Sequence, residues 1–157
     1  MNRLIYFLVV VILFSLMKTF PQNGYTYIGV EACVMCHKTE KQGSQFSIWQ
    51  NSRHAKAFET LKTEKANQIA KEKGFNTPAA ETPDCLKCHV SGYNLDPSML
   101  GKKFKVEDGV QCETCHGPGS AYKDMKVMKD RELAIKNGLI VHDKLENFCI
   151  GCHNVES

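Results

Sequence analysis

All eight cysteines of this 157-residue chain fall into four copies of one five-residue unit, and that fact limits the fold more than any other. The copies are Cys33-Val34-Met35-Cys36-His37, Cys85-Leu86-Lys87-Cys88-His89, Cys112-Glu113-Thr114-Cys115-His116 and Cys149-Ile150-Gly151-Cys152-His153. Two thiols at this spacing reach the two vinyl groups of one porphyrin and form thioethers. The adjacent histidine then lies beneath the iron as an axial ligand, which is the attachment pattern of c-type haem. A structural zinc site closes with four ligands and leaves the repeated trailing histidine unexplained. A disulfide framework needs no histidine, and a thioredoxin-like pair occurs once, in a βαβ setting. The expectation is four covalently bound haem c groups. Cys33, Cys36, Cys85, Cys88, Cys112, Cys115, Cys149 and Cys152 supply the thioethers, and His37, His89, His116 and His153 the iron ligands.

Four large macrocycles in so short a chain leave little room for a core made of side chains. Burying each supplies apolar area at roughly 25 cal/mol per Å², so the haems themselves are expected to be the core. The predicted class is mainly α with extensive loops, a small multihaem cytochrome, because no alternating pattern of useful length marks a strand. Unequal spacing of the four units argues against a solenoid of equal repeats. The segment between the first two units reads as the longest helical stretch. Asn51-Ser52 is expected to cap a helix over 53–61, Gly74 to occupy a C′ position, and Pro78 and Pro83 to frame a loop. A polar helix is predicted over 120–136, ended by Asn137-Gly138. Around the third unit, Gly109, Gly117 and Gly119 are expected to let backbone approach a flat ligand and turn away.

The chain opens with Met1-Asn2-Arg3, then an apolar run over 4–17, then Lys18. This has the basic and apolar regions of a secretory leader and is short for a membrane span, which needs about 20 residues. Residues 1–20 are therefore read as a cleaved signal, with a retained N-terminal anchor as the alternative, and 21–157 as one tetrahaem domain. Either reading places the domain in the periplasm or another extracytoplasmic space. Without the first 20 residues, 18 basic side chains face 17 acidic ones, so nothing marks a nucleic-acid surface. Positive charge is local, at Lys123, Lys126, Lys129 and Arg131. It reads either as a solvated face or as a docking patch for a redox partner protein.

Six histidines serve four irons. His54 and His142 remain as candidate distal ligands, which completes two haems within the chain. The other two need another donor, a ligand from a neighbouring chain, or an open site. Met125 and Met128 follow the third unit and are candidates for methionine ligation, against the reading of a plain helix face at i and i+3. Met35 lies inside its own attachment loop and is badly placed. If 53–61 is helical, His54, Phe58 and Leu61 share one face.

The sequence resembles the tetrahaem cytochrome c-554 family, known from ammonia-oxidising bacteria and found more widely. The resemblance spans about 31–153. It rests on Cys33 to Lys38, on Ser52-Arg53-His54-Ala55-Lys56-Ala57, on Asp84 to Gly92, and on Gly109-Val110-Gln111 through Cys112 to Gly117-Pro118-Gly119. It implies a mostly helical protein with haems in close pairs and a role in electron transfer. The founding type takes electrons from hydroxylamine oxidation. By the same resemblance, three haems sit between two histidines and the second lacks a sixth ligand. His54 matches a distal histidine for the haem of His153, and His142 one for the haem of His116. The family carries a further distal histidine after Gly-Pro-Gly, where this sequence has Lys123, Met125, Lys126 and Met128. This departure leaves the sixth ligand of the first haem open between methionine, lysine and no ligand.

The leading expectation is an electron carrier between redox partners, such as a membrane quinol-oxidising system and a terminal acceptor, rather than a substrate-converting enzyme. A reductase acting on a nitrogen oxide or oxygen species at an open iron is the alternative, although no acid–base cluster is visible in sequence. A filament subunit sharing a histidine between chains is the third.

Overall fold

The computed structural model describes residues 24–155, so the expected leader over 1–20 lies outside them. Within the described residues nine short helices follow one another: α1 Val30–His37, α2 Gln45–Gln50, α3 Ala57–Leu61, α4 Glu64–Glu72, α5 Pro83–His89, α6 Cys112–His116, α7 Met125–Met128, α8 Arg131–Lys136 and α9 Leu145–Cys149. Single 3₁₀ turns at Glu40–Gln42, Ala79–Glu81, Pro97–Met99 and Val106–Asp108 punctuate the loops. Among the described residues there is no strand, only one isolated bridge between Tyr27 and Leu100. The mainly helical, loop-rich class read from the sequence is the class observed. No described helix is long and apolar enough to cross a membrane.

The helix ends follow local chemistry. In α4, the Thr63 hydroxyl accepts the Ala66 N–H at 3.2 Å, satisfying one of the four unpaired donors of the first turn. At the other end Gly74 adopts φ +88°. The Phe75 N–H bonds the Ala70 carbonyl and the Gly74 N–H bonds that of Lys71, which is the Schellman arrangement. Gly138 ends α8 in the same way, with Leu139 N–H on Ala134 and Gly138 N–H on Ile135. Pro78 and Pro83 enclose the 3₁₀ turn at 79–81, and Pro83 opens α5 at the position where a missing N–H costs nothing.

Three expectations need correction. The stretch 53–61 is helical only from Ala57 onward, so His54 precedes α3 and shares no helix face with Phe58 and Leu61. Its carbonyl is held by the Val110 N–H at 3.0 Å as well as by Ala57 at 3.2 Å, which fixes a turn there. The polar stretch 120–136 is two helices, not one. Asp130 is extended (φ −110°, ψ 105°) and its carboxylate caps α8 by accepting the Leu133 N–H at 3.0 Å, a local bond that competes with helix continuation. The glycines around the third unit meet protein rather than open space. A Cβ on Gly109 would stand 2.6 Å from the His54 carbonyl oxygen, on Gly117 2.9 Å from that of Gly138, and on Gly119 2.8 Å from the Ile28 side chain.

Few apolar side chains are fully buried. They are Val30, Leu61, Ala70, Ala79, Val90, Tyr122 and Ala134, and alanines supply little area. Leu61, Ala70 and Ala79 form one cluster with Phe58, Phe75 and Leu86 packed around it, beside the second C-x-x-C-H unit. Large apolar groups such as Met35, Ile48, Met125, Leu145 and Ile150 stay well over half exposed in the bare polypeptide. That surface is available to an apolar cofactor.

Candidate functional site

Each C-x-x-C-H unit is built on the end of a short helix. His37 closes α1, His89 closes α5 and His116 closes α6. α9 stops at Cys149, and its chain continues as a turn in which the Cys152 and His153 N–H groups both bond the Cys149 carbonyl, at 3.1 and 2.8 Å. Helical spacing puts the two cysteines (i, i+3) and the histidine (i, i+4) on one face, so each unit presents three reactive groups in one direction. All eight cysteines are free thiols. Among the described residues no three His, Cys, Asp or Glu side chains converge as a metal cage.

Two of the trailing histidines are each held by a backbone carbonyl. The Nδ1 of His89 lies 2.8 Å from the Ala57 carbonyl oxygen, and that of His116 lies 3.1 Å from the Ile140 carbonyl oxygen. A carbonyl only accepts, so Nδ1 carries the proton and Nε2 keeps its lone pair. Backbone anchoring of the second ring nitrogen is the usual support of a metal-bound histidine. A cavity of about 530 Å³ opens over the second unit, within the range of cofactor sites. Cys85, Cys88 and His89 form one side, and Leu61, Ala66, Ile69, Ala70, Phe75 and Ala79 another. Its lining contains neither a second histidine nor a methionine. Thiols, an imidazole with a free Nε2 and a chamber with an apolar wall and polar groups (Lys73, Asp84, Lys87, Asn154) elsewhere on its lining fit covalent haem.

The units are close to one another. The Cys33 thiol interacts with that of Cys112, and the Cys88 thiol with that of Cys152. In the polypeptide before attachment, contact with Cys112 and burial hold the Cys33 thiol protonated, and the same contact lowers Cys112. Burial and then the Cys88 contact push Cys152 up to about 11. The first unit is thus apposed to the third and the second to the fourth.

The two remaining histidines lie near attachment units. The His54 and His153 rings have centroids 5.9 Å apart at 56°, close to the span left by two metal–nitrogen bonds of about 2 Å each. His142 sits against the third unit, its Nε2 2.7 Å from the Cys115 carbonyl oxygen, and its ring packs 4.4 Å from that of Phe148. In this position Nε2 carries the proton and Nδ1 has the free lone pair. Met125 is 62% exposed on α7, and Lys123 lies 3.7 Å from the Asp124 carboxylate.

A second cavity of about 430 Å³ lies between α1, α2 and the 3₁₀ turn at Val106–Asp108. Trp49 lines it and donates its indole N–H to the Val110 carbonyl at 2.8 Å. Asp108 also lines it, with a buried Oδ2 that has no hydrogen-bond partner among the described residues, and burial raises its carboxyl pKa. Sequence reading passed over Asp108, and also over the buried Glu113, Gln111 and Ser91. Only the free positions inside the third C-x-x-C-H unit could have pointed to Glu113.

Residues 32–117 match the family model described as cytochrome c554 and c-prime. The chain is also 33% identical over 141 residues to cytochrome c-554 of Nitrosomonas europaea, an alignment covering 80% of this chain and 56% of that protein. The chain belongs to the cytochrome c-554 family. It spans little more than half the length of that relative. No solved structure matches it. Membership makes it a c-type cytochrome, for which covalent haem c is the cofactor.

Proposed function

We propose that this cytochrome holds four haem c groups and carries electrons between redox partner proteins outside the cytoplasm. The observation that carries this reading is the apposition of the attachment units, first to third through Cys33 and Cys112 and second to fourth through Cys88 and Cys152. Centres anchored so close together suit passage of electrons from one to the next. Haem, when bound, supplies a one-electron iron couple. The polypeptide would anchor and orient it: the paired thiols would form the thioethers, His37, His89, His116 and His153 would ligate the iron, and the Ala57 and Ile140 carbonyls hold the rings of His89 and His116. His54 opposite His153 and His142 beside the third unit are the distal ligands in this reading. Intact mass of the mature protein is expected to equal the polypeptide plus four haems, with four one-electron steps in a redox titration. Bound zinc, or four disulfides in place of haem, overturns it.

A second reading is favoured by the cavity over His89, whose lining holds no second histidine and no methionine. The haem held there is then open on its far side and admits a small nitrogen oxide or oxygen species. Carbon monoxide added to the reduced protein is expected to shift this haem, with the haem of His37 the other candidate. If all four haems stay inert to the gas, the reductase reading falls and the carrier reading stands alone.

A further inference from the structure

C-x-x-C-H chemistry leaves its two middle residues free, and in the third unit these are Glu113 and Thr114. We infer that Glu113 and Thr114 are positioning residues that make the third unit a hub, fixing where the first and second units stand relative to it. The inference rests on the four-haem reading above.

Glu113 is 2% exposed. Its carboxylate accepts the Ile28 N–H at 2.9 and 3.0 Å, the Gly29 N–H at 2.8 Å and the Gly119 N–H at 2.6 Å. Ile28 and Gly29 lead directly into α1, so one side chain of the third unit holds the entry to the first. Gly29 has φ +80°, and a Cβ there would stand 2.7 Å from the Lys103 carbonyl oxygen. Backbone can therefore present its N–H to the carboxylate only as glycine. A buried carboxylate is tolerable because every direction is satisfied by a donor. The neighbouring Gln111 adds to the same joint, its Oε1 accepting the Val30 N–H at 3.1 Å.

Thr114 faces the other way. Its hydroxyl is hydrogen-bonded to that of Ser91, two residues after His89. Ser91 is 1% exposed, and its Oγ also accepts the Gln111 N–H at 2.7 Å. A second side chain of the third unit thus holds the exit from the second. The first, second and third units are joined through two consecutive residues that have no part in haem attachment. A cross-link of this kind decides the distance and angle between groups that the units carry, whereas a residue that merely stabilised the fold would not.

The test uses the full-length holoprotein and the variants Glu113→Gln, Thr114→Val and Thr114→Ser. Intact mass counts the haems, and circular dichroism in the Soret band reads the couplet produced by closely spaced haems. Gln keeps one acceptor but turns an amide donor toward backbone N–H groups. Val keeps the shape of Thr without its hydroxyl, and Ser keeps the hydroxyl. With four haems retained, Glu113→Gln and Thr114→Val are expected to lose couplet amplitude, and Thr114→Ser to keep the wild-type couplet. If Glu113→Gln does not fold, the milder Thr114 pair decides alone. Wild-type couplets in the Val variant, an equal loss in Ser and Val, or a wild-type protein with four haems and no couplet each overturn the inference. A wild-type mass with fewer than four haems overturns the four-haem reading instead, a result separate from the couplet.

Discussion

His54 lies in a turn whose carbonyl is held by Val110, with its ring facing that of His153. Because the backbone and not a helix face aims this ring, truncating it should leave the surrounding chain intact. His54→Ala is expected to convert one low-spin haem to another spin state with the haem count unchanged, and His142→Ala to convert a second. Magnetic circular dichroism separates these outcomes, and unchanged spectra remove both residues from the ligand set. Asp108 presents a different balance. Burial raises its carboxyl pKa above the ordinary value, so the folded state favours the protonated form. The stability this contributes is complete below the unfolded pKa of about 4 and is lost as pH rises through the raised folded value. Asp108→Asn removes the charge, so its stability relative to wild type should increase from acid toward neutral pH. Denaturant melts at several pH values check this, and a pH-independent difference refutes it.

Two glycines with positive φ separate the cost of a cap from the cost of a joint. Gly74 ends α4 at φ +88° with nothing within 4 Å of where a Cβ would stand. Gly74→Ala then carries only the left-handed penalty of about 1–2 kcal/mol, with haem spectra unchanged. Gly109 has φ +69°, and its Cβ would meet the His54 carbonyl at 2.6 Å and that of Ala55 at 3.3 Å. Backbone cannot yield there without moving the turn that carries His54. Gly109→Ala should cost more than the about 1–3 kcal/mol of local strain and should also alter the spin state of the haem that His54 serves. Denaturation alone cannot separate a stability loss from a moved ligand, so the spectrum is the deciding measurement. Equal effects from the two variants would show that the 109–110 joint does not position His54. These two glycines also mark how far pattern reading reaches. Gly74 follows an apolar-periodic stretch and precedes Pro78, so its role was visible locally. Gly109 is a contact with residues 55 positions earlier, and no local pattern encodes that.

At the scale of the molecule, the seven buried apolar residues among those described, three of them alanine, make a thin core. The exposed apolar groups around the attachment units suit a fold completed by its cofactors. On the four-haem reading, charge would also change on loading. A ferric haem with both propionates ionised adds about −1, so residues 21–157, near neutral by themselves, would become about −3 with four haems. Lys123, Lys126 and Lys129 then form a positive island, all three exposed. Lys123 lies 3.7 Å from the Asp124 carboxylate, a solvent-exposed pair that neutralises little. If the island docks an anionic partner, electron transfer slows as salt shortens the screening length to about 8 Å at physiological strength, and Lys126→Glu slows it further. Rates indifferent to both leave the island as a solvated face.

The repeated C-x-x-C-H unit determined the cofactor chemistry by itself, because attachment needs only five consecutive residues and helical spacing aligns them wherever they fall. Local chemistry equally determined the α4 stop at Gly74 and, among the described residues, the absence of strands. What the tertiary structure decided is everything that depends on residues far apart in the chain. His54 meets His153 across 99 positions. Its turn is set by Val110, and the single helix expected over 120–136 yields to the Asp130 cap. Glu113 and Thr114 fill positions that attachment leaves unconstrained, so no rule of spacing assigns them a task. Their tasks arise only when folding brings the Ile28–Gly29 and Ser91 backbone within reach, where a buried carboxylate or hydroxyl must find its partners.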